Sequence, residues 1–202
     1  MKIVRVETLL SKGSFSRSRE WKCIRRGLHE AVRAVDWPPG TGKFTIHPQS
    51  GKRRGQGNGV KPIKNECIAK LREQGWQSEV ALNILGSATP GGIDAVFDAK
   101  AGAVAMEWET GNISSSHRAL NKLAIGLMRG SLVGATLVVP SRKLYKWLTD
   151  RIGNFQELLP YLDLWRAIPC ENGVFEIVVI EQDAESLDVP CIPKGTDGRA
   201  RR

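Results

Sequence analysis

Apolar positions in the first third of the chain recur every three or four residues. Between Ser16 and Asp36, the residues Trp21, Ile24, Leu28, Val32 and Val35 mark one face of an amphipathic helix whose outer face is basic. The WPPG stretch at 37–40 stops it, because proline and glycine cannot continue a helix. The following segment, TGKFTIHPQSGKRRGQGNGVK, has one apolar patch, Phe44 to Ile46, and reads as a long loop with room for a short strand. Pro62 then suits a first helical turn, Ile63, Cys67, Ile68 and Leu71 form a second stripe, and Gly75 supplies the stop.

From Trp76 the period changes to two. WQSEVALNI puts Trp76, Ser78, Val80, Leu82 and Ile84 on one side of a half-buried strand, and GSATPGG follows as a turn or loop. IDAVFD and AVAMEWE, joined by AKAG, predict a hairpin. Ser114 to Ser116 can cap a helix with the stripe Leu120, Leu123, Ala124, Leu127 and Met128, ending near Gly130. VGATLVVP reads as a central strand buried on both faces, SRKLYKWLTDRIG as another amphipathic helix, the segment Glu157 to Trp165 as a short one, and VFEIVVIE as a last strand. The order predicts a single α/β domain over residues 1–202, a central mixed β-sheet flanked by α-helices. Within it stand a basic N-terminal helix and loop at about 16–65, a core at about 62–182, and a flexible basic tail at about 193–202.

Composition adds where the charge lies. The net charge is +9, yet residues 1–65 hold 15 Lys and Arg against 4 Asp and Glu, while the remainder is slightly acidic. No acid falls between Asp36 and Glu66, an interval carrying Lys43, Lys52, Arg53, Arg54, Lys61 and Lys64. Such a stretch either draws a polyanion by neutralising its phosphates or is a solvated loop that aids solubility. No run of about 18 apolar residues exists and the start lacks the apolar region of a secretory signal, which predicts an intracellular protein without membrane insertion. Cys23, Cys67, Cys170 and Cys191 form no metal-type pair and read as reduced, buried thiols; His29, His47 and His117 are equally dispersed.

The candidate chemistry lies in the hairpin. Glu107 and Glu109, two residues apart, leave the same strand face with Trp108 on the other, and Asp94 pairs across from the preceding strand. Three carboxylates converging on one point repel each other unless a cation joins them, and an all-oxygen set suits Mg²⁺. An isolated E-x-E more often marks a solvent-exposed face. Here the flanking Ala103, Val104, Ala105 and Met106, the basic N-terminal third and the further acid Glu66 favour the metal site.

With these residues in place, the chain resembles the PD-(D/E)xK nuclease superfamily, and within it the type II restriction endonucleases of the BamHI and BglII kind. Asp94 matches the first acid and Glu107-Trp108-Glu109 the second motif, with Glu109 standing where Lys is usual, a replacement found in the BamHI group. Asn112, Ser114 and Arg118 follow Glu109 at the offsets of that group's base-reading residues, and Glu66 looks like its additional acid.

The resemblance implies a restriction-endonuclease-like fold and Mg²⁺-dependent hydrolysis of a double-stranded DNA phosphodiester at a short palindrome by a homodimer in a prokaryotic cytoplasm. Asp94, Glu107 and Glu66 would serve the metal, and Glu109 would accept a proton from the attacking water. Asn112, Ser114, Arg118 and, less directly, Arg142 would reach base edges, while Lys43, Arg53, Arg54, Lys61 and Lys64 would position the backbone. Two rivals stand beside this reading: a structure-selective or repair nuclease of the same fold, and a non-catalytic DNA-binding protein. Junction DNA in competition tests the first, and absence of Mg²⁺-dependent cleavage would favour the second.

Overall fold

The computed structural model of the chain describes residues 1–53, 55–81, 91–149 and 151–195. The chain opens with β1 (Lys2–Lys12), a strand within a segment for which the sequence pattern had suggested no element. A single 3₁₀ turn leads into α1 (Arg19–Ala34), N-capped by Ser18, whose hydroxyl accepts from the Trp21 N–H at 3.0 Å. The chain's own α-amino group closes the other end of α1, donating to the carbonyls of Arg33 at 3.1 Å and Val35 at 2.9 Å. β2 (Thr45–Ile46) is the short strand in the long loop, α2 (Lys61–Glu73) follows, and β3 (Gln77–Val80) is shorter than its alternation predicted. Leu82 and Ile84, expected to extend it, lie outside the described residues.

The hairpin is present as β4 (Ile93–Ala99) and β5 (Gly102–Trp108), after which come α3 (Ile113–Met128) and β6 (Leu132–Pro140). The expected helix at 141–153 shrinks to one turn, α4 (Arg142–Tyr145). The reason is Asn58, fully buried, whose amide donates to the Trp147 carbonyl at 2.7 Å and the His47 carbonyl at 2.8 Å, while Asn58 and Leu148 form a bridge. That bridge needs extended chain where a helix would otherwise run on. α5 (Phe155–Leu158), a 3₁₀ turn and α6 (Leu162–Arg166) replace the single short helix, and β7 (Gly173–Glu181) and β8 (Ala184–Glu185) complete the order.

Among the described residues, six strands form one sheet in the order β1-β7-β6-β5-β4-β3, with β5, β6 and β7 mutually parallel and the flanking pairs antiparallel. Every residue of β6 is buried, as its unbroken apolar run predicted, because strands cover both edges and helices both faces. On one face Trp21, Leu28 and Val32 of α1 and Ile63 and Leu71 of α2 pack against Val104, Met106, Val138 and Val178. On the other, Leu120, Leu123 and Leu127 of α3 and Phe155, Leu158 and Trp165 pack against Ala105, Leu137 and Ile177. Each such Val, Leu, Ile, Met or Phe side chain contributes roughly 1.5–3 kcal/mol of burial.

The basic loop is bolted to this body along much of its length. Asn58 Oδ1 accepts from the Ile192 N–H at 3.0 Å, and Gly59 N–H donates to the Ile192 carbonyl at 2.8 Å. A Cβ on Gly51 would lie 1.7 Å from the Leu148 carbonyl oxygen, so the loop's glycines permit close backbone contact. Of the tail expected to be frayed, residues 193–195 are described, and there Lys194 donates to the Gln56 carbonyl at 2.8 Å; residues 196–202 lie outside the described residues. The cysteines are free, but only Cys67 is buried and Cys23 is exposed, which corrects the uniform expectation. Among the described residues, no helix is long and apolar enough to cross a membrane.

Candidate active site

The acids gather at the carboxyl end of β5, where an open α/β sheet presents its loops to a ligand. Register sets the first contact. Ala95 pairs with Met106, so Asp94 and Glu107 fall side by side across the hairpin, each less than a tenth exposed. Asp94 Oδ2 accepts the Trp108 N–H at 2.8 Å, and Oδ1 holds the ammonium of Lys64 on α2 at 2.5 Å. Glu107 Oε1 meets the ammonium of Lys122 on α3, which also donates to the Gly92 carbonyl at 3.0 Å.

Burial first, and then the charge of Asp94, push the Glu107 carboxyl up to about 7 against the pull of Lys122. Glu109 stands one residue beyond the end of β5, its N–H donating to the Val138 carbonyl at 2.9 Å. Its carboxylate turns onto the following turn, accepting the Gly111 N–H at 2.6 Å. Burial raises its pKa, the Gly111 N–H and the charges of Lys64 and Arg118 lower it, and Asp94 raises it. A Cβ on residue 111 would lie 2.6 Å from Glu109 Oε1, so this approach needs glycine.

The convergence of three carboxylates on one point is corrected. Among the described residues, no three His, Cys, Asp or Glu side chains surround a common position suited to an ion. Instead two buried acids are juxtaposed, each already facing an ammonium, with Glu109 held beside them. Glu66 does not join them through any partner described here: it accepts the Asp36 N–H at 3.2 Å, and burial followed by that bond sets its pKa, raised overall. Lys64 and Glu66, two residues apart on α2, leave the helix in different directions, and only Lys64 meets the strand acids. Glu79 is the acid that register places beside Asp94, since Ser78 pairs with Ala95 and Val80 with Ile93. It is exposed, with φ at +54°, a conformation uncommon outside glycine.

The helix after the acids begins one cap earlier than predicted. Asn112, not the serines, is the N-cap of α3, its Oδ1 accepting the Ser115 N–H at 3.0 Å. Asn112, Ser114 and Arg118 are all exposed on the first turns, around the positive end of the helix dipole. Arg142 lies on α4 with its guanidinium 5.1 Å from the Tyr145 ring centre. Lys43, Arg53 and Lys61 are exposed, the last opening α2, and Arg54 lies outside the described residues.

Two further cations escaped the sequence reading. Arg151 has φ at +65°, and its neighbour Gly153 donates to the Gly111 carbonyl at 2.8 Å, which docks this loop against the start of α3. Lys122 is buried within α3, and the small residues Ala119 and Gly126 one turn to either side are the signal that marks its face.

Comparison with known proteins decides the family. The family model for restriction endonuclease BamHI matches residues 1–199. The chain belongs to the BamHI family of restriction endonucleases. Type II restriction enzyme OkrAI of Oceanobacter kriegii is 45% identical over 202 residues, covering the whole of both chains. Type II restriction enzyme BamHI of Bacillus amyloliquefaciens is 38% identical over 191 residues, 90% of this chain and 85% of that one. The crystal structure of restriction endonuclease BglII complexed with a DNA 16-mer superposes with a TM-score of 0.60 at 11% identity, covering 91% of this chain and 79% of that chain, and shares the fold. As a BamHI-family protein this is a type II restriction endonuclease, a site-specific deoxyribonuclease, and both rival readings give way.

Proposed function

We propose that this restriction enzyme, residues 1–202 acting as one endonuclease domain, cuts both strands of a short palindromic DNA duplex as a homodimer using Mg²⁺. The observation that carries the reading is the pair of buried carboxylates, Asp94 and Glu107, set beside Glu109 and a few residues before an exposed helix N-terminus. The donor set fits a hard divalent cation: all oxygen, and repulsive enough that the Asp94 charge helps to raise Glu107. Asp94 and Glu107 would hold Mg²⁺, and Glu79 is a better placed additional acid than Glu66. An ion held there would supply Lewis-acid polarisation of the scissile phosphate and charge stabilisation of the leaving oxygen.

Glu109 takes the proton of the attacking water. Burial raises its pKa toward the range where a carboxylate accepts a proton efficiently, and the Gly111 N–H fixes its direction. Asn112 spends its side-chain carbonyl on the helix cap, leaving its NH₂ group to donate to a base, with Ser114 and Arg118 on the same first turns of α3 and Arg151 on the loop that Gly153 docks to Gly111. Arg142 reaches bases from α4, and Lys43, Arg53, Arg54 and Lys61 meet phosphates. A single chain reads half of a two-fold site, so a two-strand cut calls for a second copy related by the same symmetry.

The test compares wild type with Asp94→Ala and Glu107→Ala on cognate duplex in Mg²⁺. Both variants lose cleavage while still retarding the duplex in a gel. Full cleavage by either one overturns the assignment.

A further inference from the structure

We propose that Lys122 is a positioning residue that ties the base-reading helix to the metal-binding carboxylates. The inference rests on the nuclease reading above. Lys122 lies one helical turn beyond Arg118, so both side chains leave the same side of α3. Arg118 is exposed, whereas Lys122 is 8% exposed and its ammonium is committed twice: to Glu107 Oε1 by an ion pair and to the Gly92 carbonyl at 3.0 Å. Gly92 precedes Asp94 by two residues. One ammonium therefore spans the start of β4 and the end of β5, the two strands that supply the metal-binding pair.

α3 meets the chemistry at two heights. Its approach turn donates the Gly111 N–H to Glu109, and its third turn presents Lys122 to Glu107. Asn112 and Arg118 lie between or beside these points on the same rigid element. A small shift of α3 on seating correct bases is carried to Glu109 through Gly111 and to Glu107 through Lys122. Without the second tie, the helix reads bases but no longer sets the carboxylate that holds the ion.

Lys122→Met keeps the aliphatic stem and removes the charge; Lys122→Arg keeps the charge. The Met variant loses about 10–100-fold in kcat on cognate duplex, the range for a group that orients a metal ligand, with KM and Ca²⁺-supported duplex binding within about threefold of wild type. The Ca²⁺-induced rise in Tm shrinks, cognate and one-base-altered duplexes are cut at more similar rates, and Lys122→Arg restores most of the loss. Wild-type kcat in the Met variant overturns the proposal, as does an equal loss of cognate binding or an Arg variant no better than Met. If the Met variant is unfolded by circular dichroism, Lys122→Gln replaces it and the same split between binding and turnover decides. A wild-type protein that cuts no DNA would instead remove the nuclease reading itself.

Discussion

Lys64 Nζ lies 2.5 Å from Asp94 Oδ1 and its charge also acts on Glu109, so a cation from α2 stands among acids whose second motif ends in Glu. The side chain is about a third exposed and can turn toward a bound phosphate. Lys64→Met therefore leaves the strand acids facing the DNA backbone with less compensation. Affinity for cognate duplex falls by about tenfold in metal-free buffer, and the deficit narrows when Ca²⁺ is added. Equal deficits with and without Ca²⁺ would reduce Lys64 to an ordinary backbone contact. Fluorescence anisotropy under the two conditions gives the comparison.

Gly111→Ala puts a methyl group 2.6 Å from the Glu109 carboxylate and 3.3 Å from Ser115. The carboxylate must move or the turn must open. Because the near atom is the free end of a side chain, the variant loses about 1 kcal/mol of stability or less and, because Glu109 is displaced, more in turnover than in DNA binding. Thermal melts paired with single-turnover cleavage check both parts; an unchanged cleavage rate would separate Glu109 from the chemistry.

The Glu107 carboxyl, ordinarily near 4.5, is raised to about 7 chiefly by burial. Between those values the folded chain binds a proton that the unfolded chain releases. The stability this contributes is complete below the unfolded value and is lost as pH rises through the folded one. Metal-free protein therefore melts at a lower temperature at about pH 8 than at about pH 5, with a change on the order of a few kcal/mol. Glu107→Gln flattens this dependence, and a divalent cation raises Tm more at the alkaline end. Identical pH profiles for wild type and the Gln variant would contradict the burial argument.

Periodicity made the helices and inner strands legible because each buries one strong apolar pattern: the α1 stripe, the hairpin and the unbroken run of β6 all stand where the spacing put them. What escaped depends on distant partners. β1 is recognisable as a strand only once β7 offers its antiparallel edge, and the helix after Ser141 is cut short by Asn58, far away in sequence. At the candidate site, the juxtaposition of Asp94 and Glu107 was readable from strand alternation. Glu66 stands apart from these acids because the helical angle between positions 64 and 66, visible only with α2 packed, presents Lys64 to them instead. Ala119 and Gly126 mark the Lys122 face as buried, but the partner of its charge, Glu107, is set by the fold.

The cap and the proposed base reader on α3 make separable predictions. Asn112→Ala loses the bond to the Ser115 N–H and about 1 kcal/mol of stability, whatever it does to DNA. Arg118→Ala, exposed and outside the core, leaves Tm unchanged and relaxes discrimination at one base pair by about 1–3 kcal/mol. Cleavage rates on a set of single-substituted duplexes, set beside melts of both variants, separate the roles. Uniform weakening across all sequences in Arg118→Ala would assign that guanidinium to phosphate.

The central claim is that two paired carboxylates and an adjoining helix make one metal-dependent, base-reading nuclease. Digestion of plasmid and phage DNA by the purified chain, with Mg²⁺ and in its absence, followed by sequencing of the fragment ends, tests it most directly. The account predicts discrete fragments only with Mg²⁺, all sharing one short two-fold symmetric sequence at their ends. A smear of unrelated ends, or no cutting of any unmodified DNA in Mg²⁺, would contradict it.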